Sequence, residues 1–204
     1  MSSQPQTAGI ILAAGASTRF GPPKQLIKLK DKSLVEWVAD AALNSQLQTV
    51  VLVLGHRHQK IIKALGDKGQ HPKLEIVVNH RYHEGQSTSL KIGLSRIKQD
   101  IAAVMYLLAD QPMINSDTID YLLEEFHASA KDICVPVFEG RRGNPAIFRR
   151  SVYEEIMRVE GDIGARDLIN RIPERVLFVE IKDPLCFCDI DSPEDLKNLK
   201  TRIH

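Results

Sequence analysis

Residues 10–24 read Ile-Ile-Leu-Ala-Ala-Gly-Ala-Ser-Thr-Arg-Phe-Gly-Pro-Pro-Lys, and the fold is understood most easily from this stretch. The apolar run from Gly9 to Ala14 has no polar alternation, which is typical of a strand buried in a parallel sheet. The residues that follow include Gly15, Gly21 and the Pro22-Pro23 pair, which favour a loop because proline cannot continue a strand or a helix interior. The stretch therefore predicts a buried strand that ends in a glycine-containing loop.

The loop after this strand has the features of an anion-binding site. Small residues leave the backbone uncovered, so that successive amide groups can form a concavity for an anion. These residues are Ala13, Ala14, Gly15 and Ala16. Arg19 adds a planar guanidinium group and Lys24 adds a compact ammonium group. Together they indicate a triphosphate site, although each residue alone also fits an ordinary turn with surface cations.

The spacing in this loop excludes two common phosphate-binding motifs. The order Gly-x-x-x-x-Gly-Lys-Ser/Thr is absent, and so is the dinucleotide order Gly-x-Gly-x-x-Gly. The order Leu-Ala-Ala-Gly-x-Ser-x-Arg-x-Gly-x-x-Lys instead resembles the signature loop of nucleotidyltransferases that bind a nucleoside triphosphate on a Rossmann-like sheet. That resemblance adds Leu12 and Ser17 to the predicted nucleotide contacts.

Length and composition indicate one globular domain over residues 1–204, with residues 1–7 expected to be flexible. The chain has 43% hydrophobic and 26% charged residues, which is usual for a soluble α/β protein. Its formal net charge of +1 gives no argument for a nucleic acid or a membrane surface as partner. An apolar signal region and a membrane-spanning run are both lacking, so a cytoplasmic location is expected.

The remaining chain alternates apolar strands with amphipathic helices, which predicts a three-layer α/β sandwich around a mostly parallel sheet. Ser33 and Glu36 form a capping-box pattern, and Ser192 before Pro193 predicts the start of a last helix. Cys186 and Cys188 are expected to share one face of a late strand as small core residues. Further strands are predicted at 49–54, 74–78, 102–108, 133–138, 146–148, 175–181 and 185–188, and helices at 34–44, 117–130 and 152–159.

Residues 85–90 form a second candidate site. Gly85 precedes three hydroxyl residues at the start of a helix, where free amides and hydroxyl groups can face an anion or a base edge. The spacing fits a well-capped helix equally well. The order Gly-x-Ser-x-Ser-Leu, which contains Ser87 and Ser89, resembles the segment that contacts base and ribose in cytidylyltransferases.

Acidic residues provide a candidate Mg²⁺ site. Asp110 follows the most apolar strand and precedes Gln-Pro, at the edge where ligands bind in parallel sheets. Asp189 and Asp191 lie two apart in extended chain and point the same way, so they are candidates to complete the metal shell. The alternatives are a turn or helix-capping role for Asp110 and simple solvation of a strand end for the other two.

The second half of the chain also contains a candidate site for an anionic acceptor. Arg141 and Arg142 stand together between glycines in a hairpin-like turn, where they either bind an anion or form a solvated tip. Asp162 and Arg166 belong to the string Gly-Asp-Ile-Gly-Ala-Arg.

Five segments together resemble molybdenum cofactor cytidylyltransferase, a MobA-like enzyme of the nucleotide-diphospho-sugar transferase-like fold. They are residues 85–94, 108–112, 140–145, 161–166 and 189–196, and the match extends over about residues 8–200. The resemblance implies that CTP and molybdopterin cofactor give the cytosine dinucleotide and pyrophosphate. The product would pass to a xanthine-dehydrogenase-like molybdoenzyme or its chaperone. The run Pro22-Pro23-Lys24-Gln25 also resembles the erythritol-phosphate cytidylyltransferase of isoprenoid synthesis. That enzyme has a His-Asp-Ala-Ala-Arg-Pro-like string where this chain has Leu-Leu-Ala-Asp-Gln-Pro, and this difference argues against it.

The resemblance also implies roles for the candidate residues. Arg19 and the loop amides would hold the β- and γ-phosphates, and Lys24 would bridge the α-phosphate and the incoming phosphate. Asp110 would fix Mg²⁺, while Arg141 and Arg166, with their neighbours Arg142 and Asp162, would face the pterin. Two other functions remain open: nucleotidyl transfer to a sugar phosphate or another small phosphate, and non-catalytic carriage of a nucleotide or cofactor.

Overall fold

A computed structural model describes residues 5–15, 23–162 and 164–203. Within these residues the strands are β1 (Thr7–Ala13), β2 (Lys28–Leu29), β3 (Lys32–Ser33), β4 (Val50–Leu54), β5 (Leu74–Val78), β6 (Ala103–Leu108), β7 (Ile133–Phe138), β8 (Arg141–Arg142), β9 (Ala146–Arg149) and β10 (Val176–Glu180). The α-helices are α1 (Leu34–Leu43), α2 (His58–Leu65), α3 (Gln86–Leu94), α4 (Ser116–Ala128), α5 (Tyr153–Arg158), α6 (Arg166–Arg171) and α7 (Pro193–Arg202).

The central sheet has the order β10-β7-β9-β6-β1-β4-β5, and β8 pairs with β7 at one end. Strand β1 lies in the middle, parallel to both β4 and β6. Strand β9 runs antiparallel to β6 and β7, while β10 is parallel to β7. The sheet is therefore mostly parallel, as the sequence predicts, and the carboxyl ends of β1, β4, β5 and β6 share one edge.

Helices cover both faces of this sheet. Successive residues of β1 alternate between two cores: Ile11 packs with α1, α2 and α4, whereas Ile10 packs with α3, α5 and α6. This alternation follows from the period of a strand, in which neighbouring side chains point to opposite faces. A strand that is apolar on both faces thus indicates a three-layer sandwich, and the structure has that architecture.

The predicted helix starts are confirmed in atomic detail. In the first capping box the amide of Ser33 donates to Glu36 Oε2 at 2.8 Å. In the second, the amide of Asp195 donates to Ser192 Oγ at 3.2 Å, and Pro193 occupies the first turn. Strand β1 begins at Thr7, two residues before its predicted start, so Thr7 belongs to the sheet rather than to a flexible end.

The prediction of a strand at residues 185–188 is wrong. Residues Pro184–Phe187 form a 3₁₀ helix, since the carboxylate of Asp183 accepts a hydrogen bond from the amide of Leu185 at 2.9 Å and favours a turn. Cys186 is buried but Cys188 is partly exposed, so the two do not form one buried face. No helix within residues 5–15, 23–162 and 164–203 is long and apolar enough to cross a membrane.

Candidate active site at the carboxyl edge of the sheet

The parallel pairing of β1 with β6 forms the site, because it brings together two chain segments that are distant in sequence. Leu12 is in register with Leu108, and the amide of Ala109 donates to the carbonyl of Leu12 at 3.2 Å. The turns after both strands therefore lie side by side. Gly15 and Asp110 line the same cavity, which has a volume of about 600 Å³.

Lys24 joins three parts of the chain in what we name the lysine–carboxylate centre, which consists of Lys24, Asp110, Asp189 and Asp191. The ammonium Nζ of Lys24 lies 2.5 Å from Asp110 Oδ2 and 2.7 Å from Asp191 Oδ1. The amide of Ile190 donates to the carbonyl of Asp110 at 2.9 Å, which ties the segment before α7 to the end of β6. The predicted proximity of Asp110 to the first loop is thus present in the structure.

The charges in this centre influence one another. Burial alone would lower the pKa of Lys24, but the carboxylates of Asp110 and Asp191 outweigh it and raise that pKa, so the amine stays protonated. Burial raises the pKa of Asp189, and the negative charges of Asp110 and Asp191 raise it further. A hydrogen bond of 2.8 Å from Gln111 Nε2 to Asp189 Oδ1 opposes that rise.

The predicted shell of three carboxylates is not formed as a metal site in this structure. Lys24 lies between Asp110 and Asp191, and the described residues contain no group of three His, Cys, Asp or Glu side chains placed to hold a metal ion. However, Asp110 Oδ1 is buried and has no hydrogen-bond partner among the described residues. A free carboxylate oxygen is a ligand that Mg²⁺ prefers, so Asp110 fits a divalent cation whose other ligands come from phosphates and water.

Gln25 fixes the backbone of the first turn, a role that the sequence did not reveal. Its side chain is 2% exposed, and Nε2 donates to the carbonyls of Ala13 and Gly15, both at 3.0 Å. The side chain of Ala13 packs in the core, so this residue contributes backbone rather than a side chain to the turn. The predicted contacts Ala16, Ser17 and Arg19 lie outside the described residues.

The start of α3 differs from the expectation that its first amides are free. The amide of Gln86 donates to Asp162 Oδ1 and that of Ser87 to the carbonyl of Gly161, both at 3.0 Å. Gly85 has a φ of +107°, and a Cβ there would lie 2.6 Å from the carbonyl carbon of Gly161. Gly85 is therefore required by close packing of two backbones, and the first two amides are already satisfied.

Among the predicted base and ribose contacts, Gly85 and Ser89 line the 600 Å³ cavity, together with Leu12 and Ala14. The hydroxyl of Ser89 accepts a hydrogen bond of 2.9 Å from Asn79 Nδ2, which orients it. Ser87 is buried and does not contribute to the cavity wall.

Tyr82 is a cavity residue that the sequence reading missed. It lies in the wall beside His83, and its hydroxyl is 3.2 Å from His56 Nδ1. A Cβ on Gly55 would lie 2.6 Å from the carbonyl of Ala14 and 2.9 Å from the Cβ of Tyr82. Gly55 thus permits the turns after β1, β4 and β5 to pack closely, which no local pattern predicts.

The predicted acceptor residues lie around two neighbouring cavities. Asp162 and Arg166 line one of about 430 Å³, which shares Leu12 and Leu108 with the first cavity. Arg141 and Arg142 line another of about 330 Å³, to which Arg166 also contributes. The four residues therefore form a continuous surface beside the lysine–carboxylate centre rather than one compact cluster.

Two known proteins are similar in sequence to most of this chain. Nicotine blue oxidoreductase of Paenarthrobacter nicotinovorans is 29% identical over 208 residues, which cover 96% of this chain and 97% of the relative. The probable molybdenum cofactor guanylyltransferase of Thermococcus sibiricus is 29% identical over 153 residues, which cover 74% of this chain and 72% of the relative.

Solved structures share the whole fold and confirm the predicted fold class. The crystal structure of Rv0371c from Mycobacterium tuberculosis has a TM-score of 0.83 at 28% identity and covers 98% of this chain and 100% of its own. A structure of Rv0371C described as a complex with manganese has a TM-score of 0.77 at 27% identity, covering 96% of this chain and 98% of its own. Residues 9–176 match the MobA-like NTP transferase domain, and the chain therefore belongs to that family of nucleotidyltransferases.

Proposed function

We propose that this chain transfers CMP from CTP to the phosphate of molybdopterin cofactor and releases pyrophosphate. The observation that carries the proposal is the position of Lys24 between Asp110 and Asp191, at the wall of a cavity large enough for a nucleotide. A carrier protein would need no half-buried ammonium group at the reacting end of its ligand. The 430 Å³ cavity beside it leaves space for an acceptor.

In the proposed reaction an oxygen of the acceptor phosphate forms a bond to the α-phosphorus of CTP. The bond between that phosphorus and the oxygen bridging to the β-phosphate breaks, and the leaving group is pyrophosphate. Lys24 would leave its carboxylate partners and stabilise the negative charge that collects around the α-phosphorus. Arg19 and the first-loop amides, including those of Ala16 and Ser17, would hold the β- and γ-phosphates.

Mg²⁺ would be held by Asp110, with Asp189 and Asp191 as candidate further ligands. When bound, such an ion neutralises phosphate oxygens and polarises the phosphorus for attack. Within the described residues Asp110 Oδ1 has no hydrogen-bond partner, which supports this role. Ser89 and Gly85 would contact the base and ribose, and Gln25 would keep the first turn in its binding conformation.

The choice of acceptor and nucleotide has separate support. The Thermococcus relative is named as a molybdenum cofactor guanylyltransferase, which supports the cofactor as acceptor and makes GTP the main competitor of CTP. The preference for CTP rests on the resemblance of the string Gly-x-Ser-x-Ser-Leu to the base- and ribose-contacting segment of cytidylyltransferases.

A nucleotide-by-acceptor matrix scored by pyrophosphate release tests the proposal. CTP, GTP, ATP and UTP would each be combined with molybdopterin cofactor, with a sugar phosphate and with no acceptor, in the presence and absence of Mg²⁺. We expect release only with CTP, cofactor and Mg²⁺ together. Release with GTP would overturn the cytidylyl assignment, release with the sugar phosphate would overturn the acceptor, and nucleotide binding without any release would indicate a carrier.

A further inference from the structure

The arginines of this chain differ sharply in their partners, and the difference singles out one cavity. Ion pairs with carboxylates are formed by Arg81, Arg96, Arg158, Arg171 and Arg175. Two more arginines donate to backbone carbonyls, namely Arg149 and Arg150. Within the described residues, the arginines that have neither kind of partner are Arg57, Arg141, Arg142, Arg166 and Arg202.

All of these except Arg57 line the cavity of about 330 Å³, which we name the arginine cavity. Its wall contains four guanidinium groups and one carboxylate, that of Asp189, and none of the four is within ion-pair distance of a described carboxylate. Like charges that converge without counter-ions repel one another, and an anion placed between them relieves that repulsion. The arginine cavity is therefore a positively charged recess rather than a neutral surface.

Two arginines of the cavity are oriented without being neutralised. Arg142 Nη1 donates to Asn170 Oδ1 at 2.8 Å, and its guanidinium lies 4.9 Å from the centre of the Phe178 ring. Arg202 Nη1 donates to Cys188 Sγ at 3.3 Å. A neutral amide, a ring face and a thiol fix the direction of a guanidinium group but leave its full charge for a ligand.

Aromatic side chains form part of the same wall. The rings of Phe138 and Phe187 lie 6.1 Å apart between centroids, at an angle of 38°. A Cβ on Gly143 would lie 2.0 Å from Cδ1 of Phe187, so the glycine allows the ring to pack directly on the backbone. This wall suits a ligand that combines a planar or apolar part with an oxyanion.

The arginine cavity also borders the proposed reaction centre. Gln111 and Asp189, which are hydrogen-bonded to each other at 2.8 Å, line it on one side, and Asp189 belongs to the lysine–carboxylate centre. A molecule whose phosphate reaches Lys24 can therefore extend past Asp189 into this recess.

We propose that the arginine cavity binds a second oxyanion group of the acceptor, separate from the reacting phosphate. This inference rests on the proposed function, because it assigns a further group of the same substrate. It implies that the acceptor is a phosphate ester carrying a further oxyanion, and that Arg142 and Arg202 recognise it through forked hydrogen bonds.

The first arm of the test measures anion binding without turnover. Inorganic sulfate would be titrated calorimetrically into the CTP-saturated wild type, the R142M/R202M double variant and the R57M control. The control removes an arginine outside the cavity that likewise forms no ion pair with a described residue. We expect the double variant to lose about tenfold or more in sulfate affinity, because two charge-assisted hydrogen-bond donors are gone, and R57M to keep it. Equal affinity in all three proteins would overturn the anion site.

The second arm measures the acceptor. In R142M/R202M the KM for the acceptor should rise about tenfold or more while the KM for CTP and kcat change little, and R142K/R202K should recover part of the loss. Sulfate should compete with the acceptor and not with CTP. Loss of sulfate binding with an unchanged acceptor KM would assign the cavity to a free anion and overturn the inference. If no acceptor pair yields pyrophosphate, the proposed function fails, while the sulfate titration still decides whether the cavity binds anions.

Discussion

The lysine–carboxylate centre and the arginine cavity meet at Asp189, yet they handle charge in opposite ways. In the centre, one ammonium group lies against two carboxylates at 2.5 and 2.7 Å, so the lysine is already paired before any ligand arrives and acidic groups outnumber it. In the cavity, four guanidinium groups have a single carboxylate nearby and form no ion pair among the described residues. The ion-paired lysine has to leave its carboxylates when a phosphate binds, whereas the arginines of the cavity have no ion pair to break among the described residues.

The largest expected effect comes from removing the ammonium group of the centre. Lys24→Met should lower the rate of pyrophosphate release by about 10²–10³, because one donor to the transition-state charge is lost. The matched control is Lys60→Met, an exposed lysine on α2, which should keep wild-type turnover. Turnover above half of wild type in the Lys24 variant would remove this lysine from the mechanism.

The same substitution, which lowers turnover, should strengthen metal binding. Without nucleotide, Lys24 neutralises the carboxylates that would hold a divalent cation, so Lys24→Met should bind Mn²⁺ about tenfold more tightly than wild type. Electron paramagnetic resonance of free Mn²⁺ measures this directly, without turnover. Asp110→Asn should abolish the binding in both backgrounds, and unchanged Mn²⁺ affinity in the Lys24 variant would refute competition between the two cations.

Gln25 tests whether the centre depends on the turn beside it. Gln25→Met removes the donor to two carbonyls, so the free energy of unfolding should fall by about 1–3 kcal/mol, as for a lost buried hydrogen-bond partner. The KM for nucleotide should rise as well, because the first turn loses its anchor. Chemical denaturation and steady-state kinetics provide the measurements, with exposed Gln59 changed to Met as the control.

The smallest expected effect concerns Asp189, which belongs to the lysine–carboxylate centre and also lines the arginine cavity. Burial and the neighbouring Asp110 and Asp191 raise the pKa of Asp189 above its ordinary 3.8, so its ionised form is disfavoured in the folded state. The residue contributes stability below the ordinary pKa and loses that contribution as pH rises through the raised value. Asp189→Asn should therefore raise the melting temperature slightly at neutral pH, by roughly 1 °C. At a pH below 3.8 the difference from wild type should disappear.

The control for this pH dependence is Asp67→Asn, an exposed aspartate far along the chain from the centre. Its melting temperature should follow that of wild type at every pH. A neutral-pH gain of the same size in both variants would show that the effect arises from net charge rather than from repulsion within the centre.

The sequence predicted local features well where short-range physics decides them. The capping boxes at Ser33 and Ser192 depend on residues three apart, and the central strand depends on an unbroken apolar run. The prediction of a strand at 185–188 was wrong because the cap from Asp183 favours a turn. A pattern over four residues is too short to distinguish a strand from a helical turn. The prediction of free amides at the start of α3 was wrong, because Asp162 and Gly161, which are distant in sequence, accept hydrogen bonds from them.

The sequence by itself determined that a buried strand ends before Gly15, that an aspartate follows the most apolar strand, and where the first and last helices begin. Only the tertiary structure decided that Lys24 pairs with Asp110, 86 residues away, and with Asp191, 167 residues away. It alone decided that four arginines from β8, α6 and α7, which form no ion pair within the described part of the chain, line one recess. The reason is that spacing along a chain encodes periodicity and caps, whereas ion pairing depends on strand order and register, which arise from packing across the whole sheet.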